Sequence, residues 1–238
     1  MNGGLWVDGL TKRYGSKVAV DGLSFGVAPG EILALAGPNG AGKTTTLLCM
    51  AGLLRPDAGL FSWQGRPLGP ERARAMALIP ETPDVYEMLT VWEHLVFVAK
   101  SCRLPNGWQE QAEALLERLA IADQRDSLGE ALSKGMRQKL LVAAAVLAST
   151  PVLLLDEPMI GLDPRGQREL RTILQELRAD GRALVVSTHL LGYIEGLCDR
   201  VLILRQGHVM ALDSVDGLLA GTGGKSLEDR FLEIVESR

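Results

Sequence analysis

The sequence is short of several things, and each shortage narrows what the protein can be. Cysteine is scarce: Cys49, Cys102 and Cys198 lie far apart, without metal-ligand spacing. Such an odd, scattered set argues against a disulfide framework or a zinc site and for reduced thiols in a cytosolic compartment that serve as packing residues. Long apolar runs are missing. The longest candidates, residues 140–148 and 152–155, fall well short of the ~20 residues that cross a bilayer as a helix, so the chain is not expected to span a membrane by itself. The start, Met1-Asn2-Gly3-Gly4-Leu5-Trp6, has no basic flank followed by an apolar core, and no signal peptide is expected. Excess positive charge is missing as well: the formal net charge is −4, which disfavours a nucleic-acid partner held by phosphate neutralisation. There is no internal repeat and no low-complexity tract. What is left is an ordinary globular composition, 47% hydrophobic and 23% charged over 238 residues, suited to one large domain or two joined lobes.

One stretch stands out from that background: Gly37-Pro38-Asn39-Gly40-Ala41-Gly42-Lys43-Thr44-Thr45. It follows an apolar run over residues 31–36 and leads into residues 46–51, which read as a helix. Strand, glycine-rich turn and helix form the setting of a phosphate-binding P-loop. Gly37, Gly40 and Gly42 lack a Cβ, so the backbone there can take positive φ and approach a phosphate. The loop N–H groups then make an anion nest, to which the helix adds its positive end. Lys43 can reach the β- and γ-phosphates, and the Thr44 hydroxyl can ligate the Mg²⁺ they carry.

Other residues suit the same chemistry. Asp156 and Glu157 end an apolar strand expected over residues 152–157, and in α/β folds ligands gather at the carboxyl ends of strands. Asp156 can face a metal while Glu157 polarises a water for attack on the γ-phosphate. His189 closes a second apolar strand, residues 183–189, where an imidazole N–H can meet that phosphate. Leu132-Ser133-Lys134-Gly135-Met136 precedes a helix expected over residues 136–149. A hydroxyl, a glycine and a helix N-terminus make a second anion-directed element, although Ser133 can equally serve only as a cap. This element has no evident use at the same P-loop.

Elsewhere, residues 5–28 read as short β segments with turns at Gly9, Gly15 and Gly22, and residues 58–64 as another strand. Thr90 can cap a helix over 91–100, and helical spacing continues in 109–120 and 166–180. Residues 200–205 and 208–212 flank Gln206-Gly207 as a hairpin. A flexible Gly221-Thr222-Gly223-Gly224 linker precedes an amphipathic helix over 227–235.

In order and spacing these pieces resemble the nucleotide-binding domain of ATP-binding cassette (ABC) transporters along essentially the whole chain. Residues 37–45 are similar to the Walker A motif and 152–157 to Walker B. Residues 132–136 stand where the signature Leu-Ser-Gly-Gly-Gln belongs, Gly161-Leu162-Asp163-Pro164 resembles the D-loop, His189 the switch histidine, and Tyr14 the aromatic that stacks on adenine. The resemblance implies an α/β P-loop NTPase fold: a RecA-like mixed core sheet flanked by helices, an N-terminal antiparallel β subdomain (about residues 1–30 and 57–70), a helical subdomain carrying the signature (about 82–150) and a C-terminal tail (about 222–238). It implies an ATPase using ATP and Mg²⁺, with Lys43, Glu157 and His189 catalytic, Tyr14 and residues 37–45 around the nucleotide, and Thr44, Asp156 and Glu81 at the metal. Ser133 and Gly135 would touch the γ-phosphate of ATP held by a second ATPase subunit, another copy of this chain or a heterodimer partner. Closure of that pair on ATP would pass to transmembrane permease subunits through the helical lobe and the loop after Pro80, at the cytoplasmic face of the membrane. The single cassette, the segment Ile79-Pro80-Glu81 and the tail from Ser226 to Leu232 resemble prokaryotic exporter-type systems. The alternative is a soluble ABC-type ATPase acting as a nucleotide-gated assembly or remodelling factor.

Three positions depart from the family pattern. Glu81 stands where the Q-loop glutamine belongs; a carboxylate can still ligate Mg²⁺, so retained function is expected, with coupling open to change. Lys134 replaces the first signature glycine, either adding charge near the nucleotide or pointing to solvent. Met136 replaces the terminal signature glutamine.

Overall fold

The structure is a computed structural model that describes residues 3–69, 72, 74–220 and 226–236. The expected linker at residues 221–224 lies outside the described residues. Ten strands and seven α-helices occur among those described. One sheet holds β1 (Leu5–Tyr14), β2 (Lys17–Val27), β4 (Ala58–Trp63) and β5 (Arg66–Pro67), in the order β2-β1-β4-β5 and antiparallel throughout. The other holds β3 (Ile32–Ala36), β6 (Met76–Ile79), β7 (Val152–Asp156), β8 (Ala183–Thr188), β9 (Arg200–Arg205) and β10 (His208–Ser214), in the order β10-β9-β3-β8-β7-β6. It is parallel apart from β10.

The central strands are apolar because both faces of their sheet are covered. Residues alternate between two cores, as a period-two strand requires. Ile32, Ala34, Ala36, Leu153, Leu155, Leu184 and Val186 join the core shared with α2 (Val91–Cys102), α3 (Trp108–Arg118), α4 (Lys134–Leu147) and α5 (Pro164–Ala179). Leu33, Leu35, Val152, Leu154, Val185 and Leu202 point the other way, to α1 (Lys43–Ala51) and the antiparallel sheet. The parallel register sets the site: Ala36 lies opposite Thr188, and Asp156 opposite Ser187, so β3, β8 and β7 end side by side.

Local chemistry sets the element ends. Thr90 and Glu93 form a reciprocal capping box at α2, the Thr90 Oγ1 accepting from Glu93 N–H at 3.1 Å and Glu93 Oε2 from Thr90 N–H at 2.8 Å. Gln206 and Gly207 both have positive φ, 50° and 82°, as a two-residue hairpin turn between β9 and β10 demands. Two short helices complete the chain, α6 (Val215–Leu219) and α7 (Leu227–Glu236), the latter burying Leu227 and Phe231.

Several expectations need correcting; helix α1, for instance, begins at Lys43 rather than at residue 46. Gly9 and Gly22 are not turns: both sit at positive φ inside long, continuous strands where the β1–β2 register slips, which makes them bulge positions. Helix α4 begins at Lys134 rather than Met136, because Ser133 caps it. Helix α5 begins at Pro164, earlier than the expected residue 166, because Asp163 caps it and proline suits the first turn. Strand β6 was not foreseen: four residues bounded by Pro80 give too short a pattern to separate from loop.

Leu154, fully buried on β7, gives a direct check on this core. Leu154→Ala is expected to lower the unfolding free energy by about 2–5 kcal/mol, and the exposed Leu60→Ala to stay within about 0.5 kcal/mol, both read from urea midpoints at constant m value. Burial also pushes the Cys49 and Cys198 thiols up to about 11. Both therefore stay protonated at pH 8, and a thiol reagent should label the exposed Cys102 well ahead of them in native protein.

Candidate functional site

The loop from Gly37 to Gly42 joins the end of β3 to α1. Its glycines are needed for different reasons. Gly40 and Gly42 take positive φ, 79° and 107°, as expected for an anion-binding turn. Gly37 does not; a Cβ there would sit 2.5 Å from the Leu204 carbonyl oxygen, so close packing against β9 excludes a side chain. Lys43 opens α1 and folds back over the loop, its Nζ donating to the Gly37 carbonyl at 2.6 Å. It is only 7% exposed and lies 3.7 Å from Glu157 Oε1. Burial lowers the Lys43 pKa, opposed first by the charge of Glu157 and then by that of Asp156.

Glu157 follows β7 directly and is itself strained into positive φ, 48°. Its Oε1 also lies 2.7 Å from His189 Nδ1, so with an ionised carboxylate that ring nitrogen carries the proton. His189 sits just past β8, where Thr188 Oγ1 closes a tight turn by accepting from Leu190 N–H at 3.0 Å. Lysine, histidine and glutamate, 32 or more residues apart in sequence at their nearest pairing with Glu157, thus meet at one carboxylate oxygen. They lie in a cleft of about 350 Å³, lined by Tyr14, Lys17, Ala19, residues 39–45, Glu81, Glu157 and His189. Asp156, 3% exposed, lies behind Glu157 at the end of β7. A strip of N–H donors, a buried lysine and a carboxylate at strand ends has the chemistry to hold a polyphosphate and to polarise a water beside it.

The sequence pattern of the family described as ABC transporter matches residues 20–160, more than half of the chain. The chain belongs to the ABC transporter family. It carries that family's ATP-binding cassette, an ATPase module, and the cassette accounts for the two-sheet α/β fold. It is similar to a solved structure described as the ATP-binding subunit of an ABC transporter, with a TM-score of 0.92 and 36% identity, covering 98% of this chain and 100% of that one. Among curated relatives, an ABC transporter ATP-binding protein of Nostoc sp. is 39% identical over 206 residues, 85% of this chain but 62% of the relative, so this chain spans less than two thirds of that protein. The lipopolysaccharide export system ATP-binding protein LptB of Acidithiobacillus ferridurans is 37% identical, with 88% of this chain and 90% of the relative covered.

The remaining motif residues of the cassette fall in two places. Tyr14, half exposed, borders the cleft with the Lys12 ammonium 5.6 Å from its ring centroid. Thr44, Thr45, Asn39 and Glu81 line the cleft too, whereas Pro38 is exposed on the loop beside it. The signature residues do not: none of residues 132–136 lines it. Ser133 is exposed and accepts from Met136 N–H at 3.3 Å. The Lys134 stem lies against Gly161, and a Cβ on Gly135 would come within 2.8 Å of the Gly161 carbonyl. Leu132 is buried and Met136 packs partly into the helical core, which gives the methionine its own reason to be there. Asp163 Oδ1 accepts from Gly166 N–H at 3.1 Å and pairs with Lys139 at 3.5 Å, holding its carboxyl below the usual range.

Three contributors escaped the sequence reading. Lys17 and Ala19 flank Tyr14 on the cleft wall, and nothing but the β1–β2 hairpin register marks them. Ser187 bonds to both Asp156 and Glu157; the signal available was the polar end, Ser187-Thr188, of an otherwise apolar strand. With nucleotide at about 100 times its Kd the native state should gain about 2.7 kcal/mol. Lys43→Ala is expected to remove most of that stabilisation, read as the nucleotide-dependent rise in melting temperature.

Proposed function

We propose that this chain is the ATP-hydrolysing subunit of an exporter, that it pairs with a second copy of itself when ATP binds, and that it drives separate transmembrane permease subunits at the cytoplasmic face of the membrane. The observation that carries the reading is the division of the motif residues. Lys43, Glu157 and His189 share one cleft, whereas Ser133 and Gly135 stand outside it. Ser133 also caps α4, but its side chain is exposed and outside that cleft, which suits a phosphate held by a second chain.

In the proposed reaction Tyr14 stacks on the adenine and the loop N–H groups of residues 39–45 hold the phosphates. Thr44, Asp156 and Glu81 are the candidate metal ligands, all oxygen donors as a hard cation requires. No group of three or more His, Cys, Asp or Glu is arranged to hold a metal alone among the described residues. That fits Mg²⁺, which is commonly shared between one or two side chains and substrate phosphates. When bound, Mg²⁺ draws charge off the β- and γ-phosphates. Lys43 turns from Glu157 to the phosphates, freeing the carboxylate to accept a proton from the attacking water. His189 holds Glu157 through Nδ1 and orients it. Ser133 and Gly135 of the second copy would close over the γ-phosphate, and its loss on hydrolysis would open the pair.

The proposed docking surface for a permease is the loop after Pro80 together with α2. Tyr86, Met88 and Phe97 are 60%, 76% and 49% exposed, far more than large apolar side chains usually are. Tyr86 and Phe97 meet edge to face at 5.4 Å, and His94 Nε2 accepts the Tyr86 N–H at 2.9 Å, fixing the loop after Pro80 onto α2. Glu81 begins that loop and also lines the ATP cleft, so a partner seated here would feel the nucleotide. No helix among the described residues is long and apolar enough to cross a membrane, and the export direction rests on the relative named for lipopolysaccharide export.

Glu157→Gln should reduce ATP turnover by about 10²–10⁴-fold while ATP still binds, and should trap an ATP-dependent dimer in size-exclusion chromatography. Hydrolysis at the wild-type rate would overturn the role of Glu157. The partner class is read by purification from the native membrane: a polytopic membrane protein should follow the chain, and a purely soluble set of partners would favour a remodelling factor instead.

A further inference from the structure

We propose that Ser187 is a positioning residue for hydrolysis, one hydroxyl that sets both neighbouring acids. The inference rests on the proposed roles of Asp156 and Glu157. Ser187 is fully buried in β8, directly opposite Asp156 in the parallel ladder. A hydroxyl at such a place is costly unless both its donor and acceptor capacities are used. Both are. Its Oγ donates to Asp156 Oδ1 and accepts the Glu157 N–H at 3.1 Å, and that N–H also reaches the Ser187 carbonyl at 3.2 Å. The direction is forced, because an ionised carboxylate has no proton to give and an amide has no lone pair to offer.

Two consequences follow for the acids. One Asp156 oxygen is occupied, so the other is the one left for a cation, and the carboxyl group cannot rotate freely. Glu157, meanwhile, is held with φ at 48°, a conformation that side-chain-bearing residues avoid. Its N–H has no other hydrogen-bond partner than Ser187 among the described residues. That backbone geometry is what carries the Glu157 carboxylate to 2.7 Å from His189 and 3.7 Å from Lys43. Strain at an active site persists only where surrounding groups enforce it; Ser187, holding the Glu157 N–H, and Ile160, whose N–H donates to the Glu157 carbonyl at 3.1 Å, are the enforcing groups here.

The test compares Ser187→Ala, which needs no extra volume, with Ser187→Thr, which keeps the hydroxyl. Nucleotide affinity without Mg²⁺ reports the P-loop alone, and Mn²⁺ binding to the ADP-bound protein, followed by electron paramagnetic resonance, reports Asp156. Ser187→Ala is expected to lower kcat and to weaken Mn²⁺ binding by about 10–100-fold each, as removal of a group behind a metal ligand commonly does. Its metal-free nucleotide affinity should stay within about twofold while its KM for Mg·ATP rises with the weakened metal site, and the Thr variant, if it folds, should recover most of kcat. Unchanged kcat, unchanged Mn²⁺ affinity, or a metal-free affinity that falls in step with kcat would each overturn the inference. Failure of the underlying reading would look different: Glu157→Gln would then hydrolyse ATP like wild type.

Discussion

Three parallel strands in register decide where everything else in the molecule has to go. β3, β8 and β7 share one ladder, and their apolar residues alternate between two cores. Covering both faces of the sheet leaves only its ends open to polar chemistry. The P-loop leaves the end of β3, the acid pair the end of β7, and Ser187, Thr188 and His189 occupy the end of β8. Because the strands are parallel, all three ends fall on the same edge. Slipping any strand by one residue would exchange its faces between the two cores and would also pull its polar end out of the cluster. Packing and function are therefore secured by the same hydrogen bonds.

The charges gathered there are tolerated because they meet one another. Lys43 and Glu157 are almost entirely buried, at 7% and 6% exposure, and a buried charge without a partner is costly. Lys43 has the loop carbonyl of Gly37 and the Glu157 carboxylate; Glu157 has Lys43 and His189. In the proposed reaction a polyphosphate competes for Lys43 and thereby changes what surrounds Glu157, so that substrate binding and activation of the base are coupled through a single lysine.

How much of this was legible beforehand depended on how local the signal was. Gly37 to Thr45 and the strand ending in Asp156-Glu157 are contiguous, and their chemistry could be read from residue types alone. The capping residues Thr90, Ser133 and Asp163 were visible as residue types, but where each helix starts depends on which N–H the side chain takes. Gly9 and Gly22 looked like turns because a glycine at positive φ serves a turn and a bulge equally well; only the partner strand tells them apart. Ser187 was hidden for the opposite reason, since its importance lies across a ladder, 31 residues from Asp156. The exposed Tyr86, Met88 and Phe97 likewise carry no period that marks them as surface, and a reading of apolar residues assigns them to the core by default.

The departures at Lys134 and Met136 find physical places, a stem lying on Gly161 and a side chain packed into the helical core, while Ser133 is exposed. The central claim is that each ATP site is completed by the other chain, and mixing two defective chains tests it most directly. Lys43→Ala lacks a working P-loop and Ser133→Arg a working signature; if sites form in trans, each is inactive alone, and the mixture recovers ATPase activity because one site per mixed dimer is intact. A mixture no more active than its components, or a Ser133→Arg chain as active as wild type, would contradict the account.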